Sequence, residues 1–293
     1  MPYDLRNLIE QSQQKELRQV QGKPFTTSVG FDALSFKHTM YSGAMDPLIM
    51  VDHFTMTAPT FGPHAHAGLS AVSILFEDSE GVFNNKDSLG NDIDLMPGDL
   101  YWLKASRGAV HDEKPREGAR THALQVFVNL PAHMKYDAPD SLHVKSTNIP
   151  VLVRDGYRAR LVLGESNGIR GAKSPALPMT ILDVNLEAGA SFEHRVPSGR
   201  SAWILGVNGA IGIRNVDATT DLKSGASVSI QARDQKQDLI ISGTSKAHFV
   251  ILQAEPLHEP FVQRGPFAMT TEKEVDAMFA AHDAGELGSL GSL

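Results

Sequence analysis

The stretch Phe61-Gly62-Pro63-His64-Ala65-His66-Ala67-Gly68 places two histidines two residues apart. On a β-strand, residues i and i+2 point to the same face, so His64 and His66 would present two imidazoles side by side. Some 45 residues later, Gly108-Ala109-Val110-His111-Asp112-Glu113 repeats the pattern with His111 and Glu113. Between them, Met96-Pro97-Gly98-Asp99-Leu100-Tyr101-Trp102 reads as a turn that launches a strand and brings the chain back across the first pair. Gly108 permits a tight turn just before His111. Two such strands facing each other offer three nitrogens and one carboxylate oxygen. That set suits one divalent transition metal, Fe first, with Mn, Ni, Cu or Zn as alternatives. It leaves positions open for water, O2 or a chelating substrate. Asp112, between the two ligands, should point away.

Outward from this pair, the chain has one texture over most of its length. From Thr26 onward, short apolar runs alternate with Gly, Pro, Asn and Asp; examples are Pro47–Asp52, Ala71–Phe76, Asp99–Leu103 and His122–Leu130. Runs of this kind between frequent turns predict an all-β barrel or sandwich. The polar stretch Pro131–Pro150 interrupts the series. A second series follows, with a hairpin predicted around Asp155-Gly156, another around Asn208-Gly209, and strands over Met179–Leu186, Ala202–Leu205, Ser227–Gln231, Leu239–Ser242 and Phe249–Gln253. The likeness of the two series suggests an internal duplication, with one domain over 1–148 and a second over 149–293. Residues 4–20 are polar and carry Leu5, Leu8, Ile9 and Leu17, which predicts a short amphipathic helix or an ordered arm. Near the other end, Thr271-Glu272-Lys273-Glu274 has capping-box spacing ahead of Val275, Met278, Phe279 and His282, which predicts a helix of about three turns.

Composition narrows the function classes. At 293 residues the chain fits about two domains, and a net charge of −7 without a basic block gives no footing for direct nucleic-acid binding. With no cysteine, disulfides, thiolate ligands and thiol catalysis are excluded. No run approaches the ~20 apolar residues of a membrane span, and no secretory signal is legible, so the expected location is cytoplasmic. There is no Gly-x-Ser-x-Gly elbow, phosphate-cradling Gly-rich loop or dinucleotide fingerprint.

Taken together, Phe61–Gly68, Asp87-Ser88-Leu89-Gly90-Asn91, Pro97–Trp102 and Arg107–Glu113 resemble the N-terminal cupin of the pirin family. Val128-Asn129-Leu130-Pro131-Ala132, Glu255–Pro260, Gly265–Met269 and the closing helix extend the resemblance over nearly the whole chain. The resemblance implies two jelly-roll cupin β-barrels packed together, with a short C-terminal helix and metal in the first barrel alone. Its four ligands are then His64, His66, His111 and Glu113. It also implies a monomer. Pirins usually keep a run like Arg-Gly-Phe-Glu after the paired histidines, where this chain has Ala67-Gly68-Leu69-Ser70. That removes an Arg and a Glu from beside the site and leaves substrate preference open.

The resemblance implies two activities. One is oxygenation of a flavonol-like aromatic substrate, as in quercetin 2,3-dioxygenases, with Glu113 leaving the metal to take the substrate's hydroxyl proton. The other is regulation through a protein partner, as a transcription cofactor or a modulator of a metabolic enzyme. In the second series His194 lacks a histidine two residues away, so no second metal is expected. His53 reads as a packed, hydrogen-bonded histidine, and Tyr101 and Trp102 as core. His122 and Gln125 fall on opposite strand faces, with Gln125 expected in the pocket. Lys86 and Lys104 are expected in solvent.

Overall fold

A computed structural model describes residues 15–27 and 30–291. Two halves repeat one arrangement. In the first, a seven-stranded antiparallel sheet runs in the order Asp140–Val144, Leu100–Lys104, Leu69–Leu75, Thr121–Asn129, Leu48–Met56, Phe31–Lys37, Lys23–Thr27. A four-stranded sheet faces it, in the order His64–His66, Ala109–Pro115, Phe83–Asp87, Asp92–Leu95. In the second half the corresponding orders are Val20–Gln21, Ala226–Ile230, Ser201–Asn208, Ala247–Ala254, Met179–Leu186, Tyr157–Leu163, Val151–Arg154 and, facing them, Ser191–Val196, Gln237–Gly243, Ala210–Arg214, Ala218–Lys223, Lys15–Glu16. The matching orders show the duplication as geometry. Each half is a jelly-roll of two facing sheets that hydrogen bonding does not close into a continuous barrel.

The two seven-stranded sheets stack back to back. Val72, Ile74, Leu124 and Val126 of the first half share one core with Ile181, Trp203, Leu205, Val250 and Leu252 of the second. The opposite faces of the same strands line the interior of each half. Leu69–Leu75 is therefore buried at all seven positions. A strand covered on both faces reads as a continuous apolar run rather than an alternation.

The ends of the described chain are exchanged between the halves. Lys15–Glu16 pairs in parallel with Ala218–Thr219, and Val20–Gln21 pairs with Ala226–Ser227. The described part of the expected N-terminal helix is thus extended and paired; the remainder lies outside the described residues. Conversely, beyond Ala254 the chain returns to the first half. Val262–Arg264 and Phe267–Met269 form a hairpin, and helix α1 follows over Glu272–Asp283. Its capping box forms as the sequence predicts: the Thr271 side chain accepts from the Glu274 amide, and the Glu274 carboxylate accepts from the Thr271 amide. Phe267, Met269, Val275, Met278 and Leu287 pack on Ala65 and Ala67, the neighbours of the paired histidines.

Two smaller expectations are corrected. The polar stretch 131–150 holds an edge strand, Asp140–Val144, paired with Leu100–Lys104. Lys104 is buried at that edge and bonds Asp137 at 3.2 Å; a long aliphatic stem lets an ammonium reach a carboxylate from under a sheet.

Candidate metal centre

His64–His66 pairs antiparallel with Ala109–Pro115, placing His111 opposite His64 and Ala109 opposite His66. All three imidazoles leave the same face. The Nε2 atoms of His66 and His111 are 3.0 Å apart, and those of His111 and His64 are 3.1 Å apart. The outer nitrogens are held separately. His64 Nδ1–H donates to the carbonyl of Gly62 at 2.8 Å, and His66 Nδ1–H to that of Pro266 at 3.3 Å. With the proton fixed on Nδ1, each ring aims an Nε2 lone pair at the common point.

This arrangement fits a metal ion. Two or three lone pairs crowded at 3.0–3.1 Å repel one another unless a cation lies between them. Nitrogens at right angles about 2.1 Å from one ion stand about 3 Å apart. Burial pushes His66 down to about 3 and His111 well below its usual value, so both stay neutral, which is the ligating form. His111 Nδ1 is buried without a hydrogen-bond partner among the described residues.

Glu113 stands beside the cluster rather than inside it. Its Oε2 is 3.9 Å from His111 Nδ1, and its Oε1 is 2.6 Å from the hydroxyl of Ser73. That hydroxyl also lies 3.0 Å from Gln125 Oε1. One hydroxyl proton cannot serve two acceptors. A proton on Glu113, donated to Ser73, lets Ser73 donate in turn to Gln125. Burial, then the charges of Asp112 and Asp87, raise Glu113 to about 7, against the pull of the Ser73 bond. Asp112 turns to the other face as expected, 2.6 Å from Lys114.

The cluster opens into a cavity of about 530 Å³ in the first half. Its walls are aromatic: Phe31 stacks on Phe54 at 5.3 Å and meets Phe61 edge-on at 4.9 Å, with Phe25, Phe83 and Phe127 nearby. Met50, Asp52, Phe54 and Met56 reach it from alternate positions of one strand, and Gln125 from the neighbouring strand.

Of the residues singled out from sequence, Gln125 and Phe61 line the cavity and Tyr101 and Trp102 are core. His53 is hydrogen-bonded, its Nε2 lying 2.7 Å from His122 Nε2 on the face of the sheet turned toward the second half. Ser73, Asp52, Lys135 and the Pro266 carbonyl carried no sequence signal. Lys135 is nearly without exposure, and its ammonium donates to Gly68 O, Asn129 Oδ1 and Ala268 O at 2.8, 2.7 and 2.7 Å. It thereby ties the C-terminal hairpin to the turn after His66.

Two duplicated jelly-roll halves, one of which gathers three histidines able to hold a metal ion, define a bicupin. The chain belongs to the pirin family: residues 13–128 match the Pirin family model and residues 181–288 the Pirin C-terminal cupin domain. It is 33% identical over 240 residues to Pirin of Homo sapiens and 34% to Pirin of Mus musculus, in each case over 79% of both chains. Among solved structures, a quercetin 2,3-dioxygenase from Acinetobacter baumannii superposes with a TM-score of 0.83 at 24% identity, over 94% of this chain and 99% of that one. The bacterial pirin YhhW from Escherichia coli, in complex with nickel(II), superposes with a TM-score of 0.62 at 15% identity, over 82% and 99%. At those identities the two structures establish the shared fold. No helix among the described residues is long and apolar enough to cross a membrane.

Proposed function

We propose that the protein is a metal-dependent oxygenase of the quercetin 2,3-dioxygenase type, acting on flavonol-like aromatic substrates. His64, His66 and His111 hold one divalent transition metal, Fe first, with Glu113 as the fourth ligand when it leaves Ser73, in the half we assign to residues 1–148. The observation that carries this reading is the aromatic cavity of about 530 Å³ lined by His64 and His66, two of the three convergent imidazoles, and by the Glu113 carboxyl. A planar, apolar substrate is what such walls accept, and the volume is in the usual range for a small-molecule site. When bound, the metal supplies Lewis acidity at a centre with open positions.

The chain's own residues supply the rest. The phenylalanines hold the rings of the substrate and keep water out. Gly62 and Pro266 fix the tautomers of His64 and His66 through their carbonyls. Glu113 takes the proton of the substrate's acidic hydroxyl on its carboxylate, and the Ser73 hydroxyl, 2.6 Å away, turns to accept from the new acid while donating to Gln125.

The first test is elemental analysis of untagged protein with His64→Ala and His111→Ala beside it. About one equivalent of a transition metal is expected in the wild type and none in the variants. Folded wild type that stays empty after loading with Fe, Mn, Ni or Zn would sink the reading. With metal in place, quercetin should drive oxygen uptake, and Glu113→Gln should slow it about 100-fold. Full metal with no uptake would leave instead a regulatory protein acting through protein partners.

A further inference from the structure

Among the described residues, the second half has no counterpart of the histidine cluster. On Ser191–Val196, which corresponds in sheet order to His64–His66, Phe192 and His194 face inward, opposite Ile241 and Leu239. His194 is instead part of a buried polar chain. Its Nε2–H donates to Gln253 Oε1 at 2.7 Å, and its Nδ1 accepts from the Ser166 hydroxyl at 3.2 Å. With its oxygen engaged in this way, Gln253 has one group left. That residue is 2% exposed, and its amide nitrogen bonds no described residue. It lines a cavity of about 790 Å³ at the end of the second half.

The surroundings define what the amide could meet. Arg170, Lys173 and Arg200 line the cavity against a single acid, Glu165, which is 3.1 Å from Arg170. In a chain of net charge −7, this is a local excess of positive charge. Pro178, Met179 and Pro197 supply apolar wall. Two of the loop amides are already used: Gly164 N–H donates to Ala172 O and Gly171 N–H to Gly164 O, each at 2.8 Å. A phosphate group favours a nest of free backbone amides, and Gly164 and Gly171, the glycines that line the cavity, offer none. A carboxylate is met instead by guanidinium and ammonium groups, which are present.

The first half shows what the same place looks like when the chain fills it. Thr121–Asn129 corresponds to Ala247–Ala254 in sheet order. At its end, Asn129 is bonded by the buried Lys135 ammonium, which also bonds Ala268 of the C-terminal hairpin. No described segment supplies such a plug to the second half.

We propose that this cavity is a second ligand site, for a small organic carboxylate with an apolar body. The carboxylate meets Arg200 and Lys173, the body lies on Pro178, Met179 and Pro197, and an oxygen at the far end accepts from the Gln253 amide. The site is independent of the metal centre.

The test is an NMR-monitored titration of the full chain with 4-hydroxybenzoate, benzoate and 4-hydroxybenzamide. Saturable shifts are expected for 4-hydroxybenzoate at residues 164–180 and 197–200, and not for the neutral amide. The double variant Lys173→Ala/Arg200→Ala, at an exposed and a half-buried position, should weaken binding at least about tenfold. Gln253→Leu should reduce 4-hydroxybenzoate to the affinity of benzoate. If that buried substitution fails to fold, the cation variant alone decides. The proposal is overturned by no saturation up to about 10 mM, by equal binding of the amide, by equal competition from inorganic phosphate, or by shifts centred on Phe31 and Phe54 instead.

Discussion

Replacing Lys135 by methionine keeps the length of a side chain that is 1% exposed and deletes its charge. Three buried acceptors then lose their donor: Gly68 O at 2.8 Å, Asn129 Oδ1 at 2.7 Å and Ala268 O at 2.7 Å. An orphaned buried acceptor costs about 1–3 kcal/mol. The three share one ammonium, whose own desolvation is relieved by the substitution, so we take about 3 kcal/mol for the set. A chain of this size unfolds with an entropy of about 0.6 kcal/mol per degree, which converts that loss into a fall in Tm of about 5 °C. Calorimetry of metal-free protein measures it directly. The same change frees the hairpin that carries Pro266 from the turn that carries Gly68. Metal release to a chelator should therefore be faster in the variant, with the loaded and metal-free forms both folded. A Tm within about 1 °C of wild type, together with unchanged release, would refute the claim that this ammonium clamps the hairpin to the histidine strand.

Gly68→Ala should be far worse than Gly43→Ala, although both glycines have positive φ, at +73° and +85°. A Cβ at Gly68 would lie 2.0 Å from the carbonyl oxygen of Ala268, whereas nothing lies within 4 Å of one at Gly43. We expect about 1 kcal/mol at Gly43 and above about 3 kcal/mol at Gly68, read from urea midpoints; equal losses would refute the close approach. Arg160→Met should cost about 3–5 kcal/mol, because it takes from the buried Asp183 carboxylate the guanidinium 2.7 Å away, leaving His248 as its partner, and removes a bond to Gly98 O across the halves. Adding Asp183→Leu should restore part of that stability, and a double variant weaker than the single would contradict the account. His53 is lowered to about 3, first by burial and then by the fields of His122 and His248. Its folded value lies below its unfolded 6.5, so the unfolded chain binds the extra proton between them. Stability is full above about 6.5 and is lost as pH falls toward 3, by up to about 1.4 kcal/mol per pH unit. His53→Phe should flatten the acid limb of the Tm profile of metal-free protein; parallel limbs would count against it.

Local chemistry made much of this structure legible. Asp155-Gly156 turns the hairpin of Val151–Arg154 and Tyr157–Leu163, and Thr271 with Glu274 starts α1, whereas the hairpin expected at Asn208-Gly209 does not form: the turn there carries the chain from Ser201–Asn208 in one sheet to Ala210–Arg214 in the facing one. The period of two brought His64, His66 and His111 to one face, and the same period separated His122 from Gln125. What sequence did not carry was contact between distant segments. Residues 15–21 look helical in isolation, but Val20–Gln21 and Lys15–Glu16 are drawn out by strand edges some 200 residues away. Pairing there satisfies backbone groups on both partners, which outweighs a weak local preference. The carbonyl of Pro266 orients His66 from a similar distance in sequence, and a backbone oxygen has no side-chain signature. Lys135 looks like any surface lysine until its three oxygens are seen converging. Glu113 was expected among the imidazoles, and its bond to Ser73 came from a residue no motif marks.

Because residues 15–21 complete the sheets of the second half and residues 262–287 cover the histidine strand of the first, neither half can be finished alone. During synthesis His64, His66 and His111 leave the ribosome about 150 residues or more ahead of Pro266. For that interval His66 lacks the carbonyl that sets its tautomer, and Gly68 and Ala67 lack their cover. Val20–Gln21 likewise waits for Ala226–Ser227 to emerge. The histidine cluster is therefore completed only after the C-terminal hairpin has been made, by the closing of a topological loop. Splitting the gene between the halves would yield two fragments that each lack a piece carried by the other, and co-expression of the two would be needed to rebuild the site.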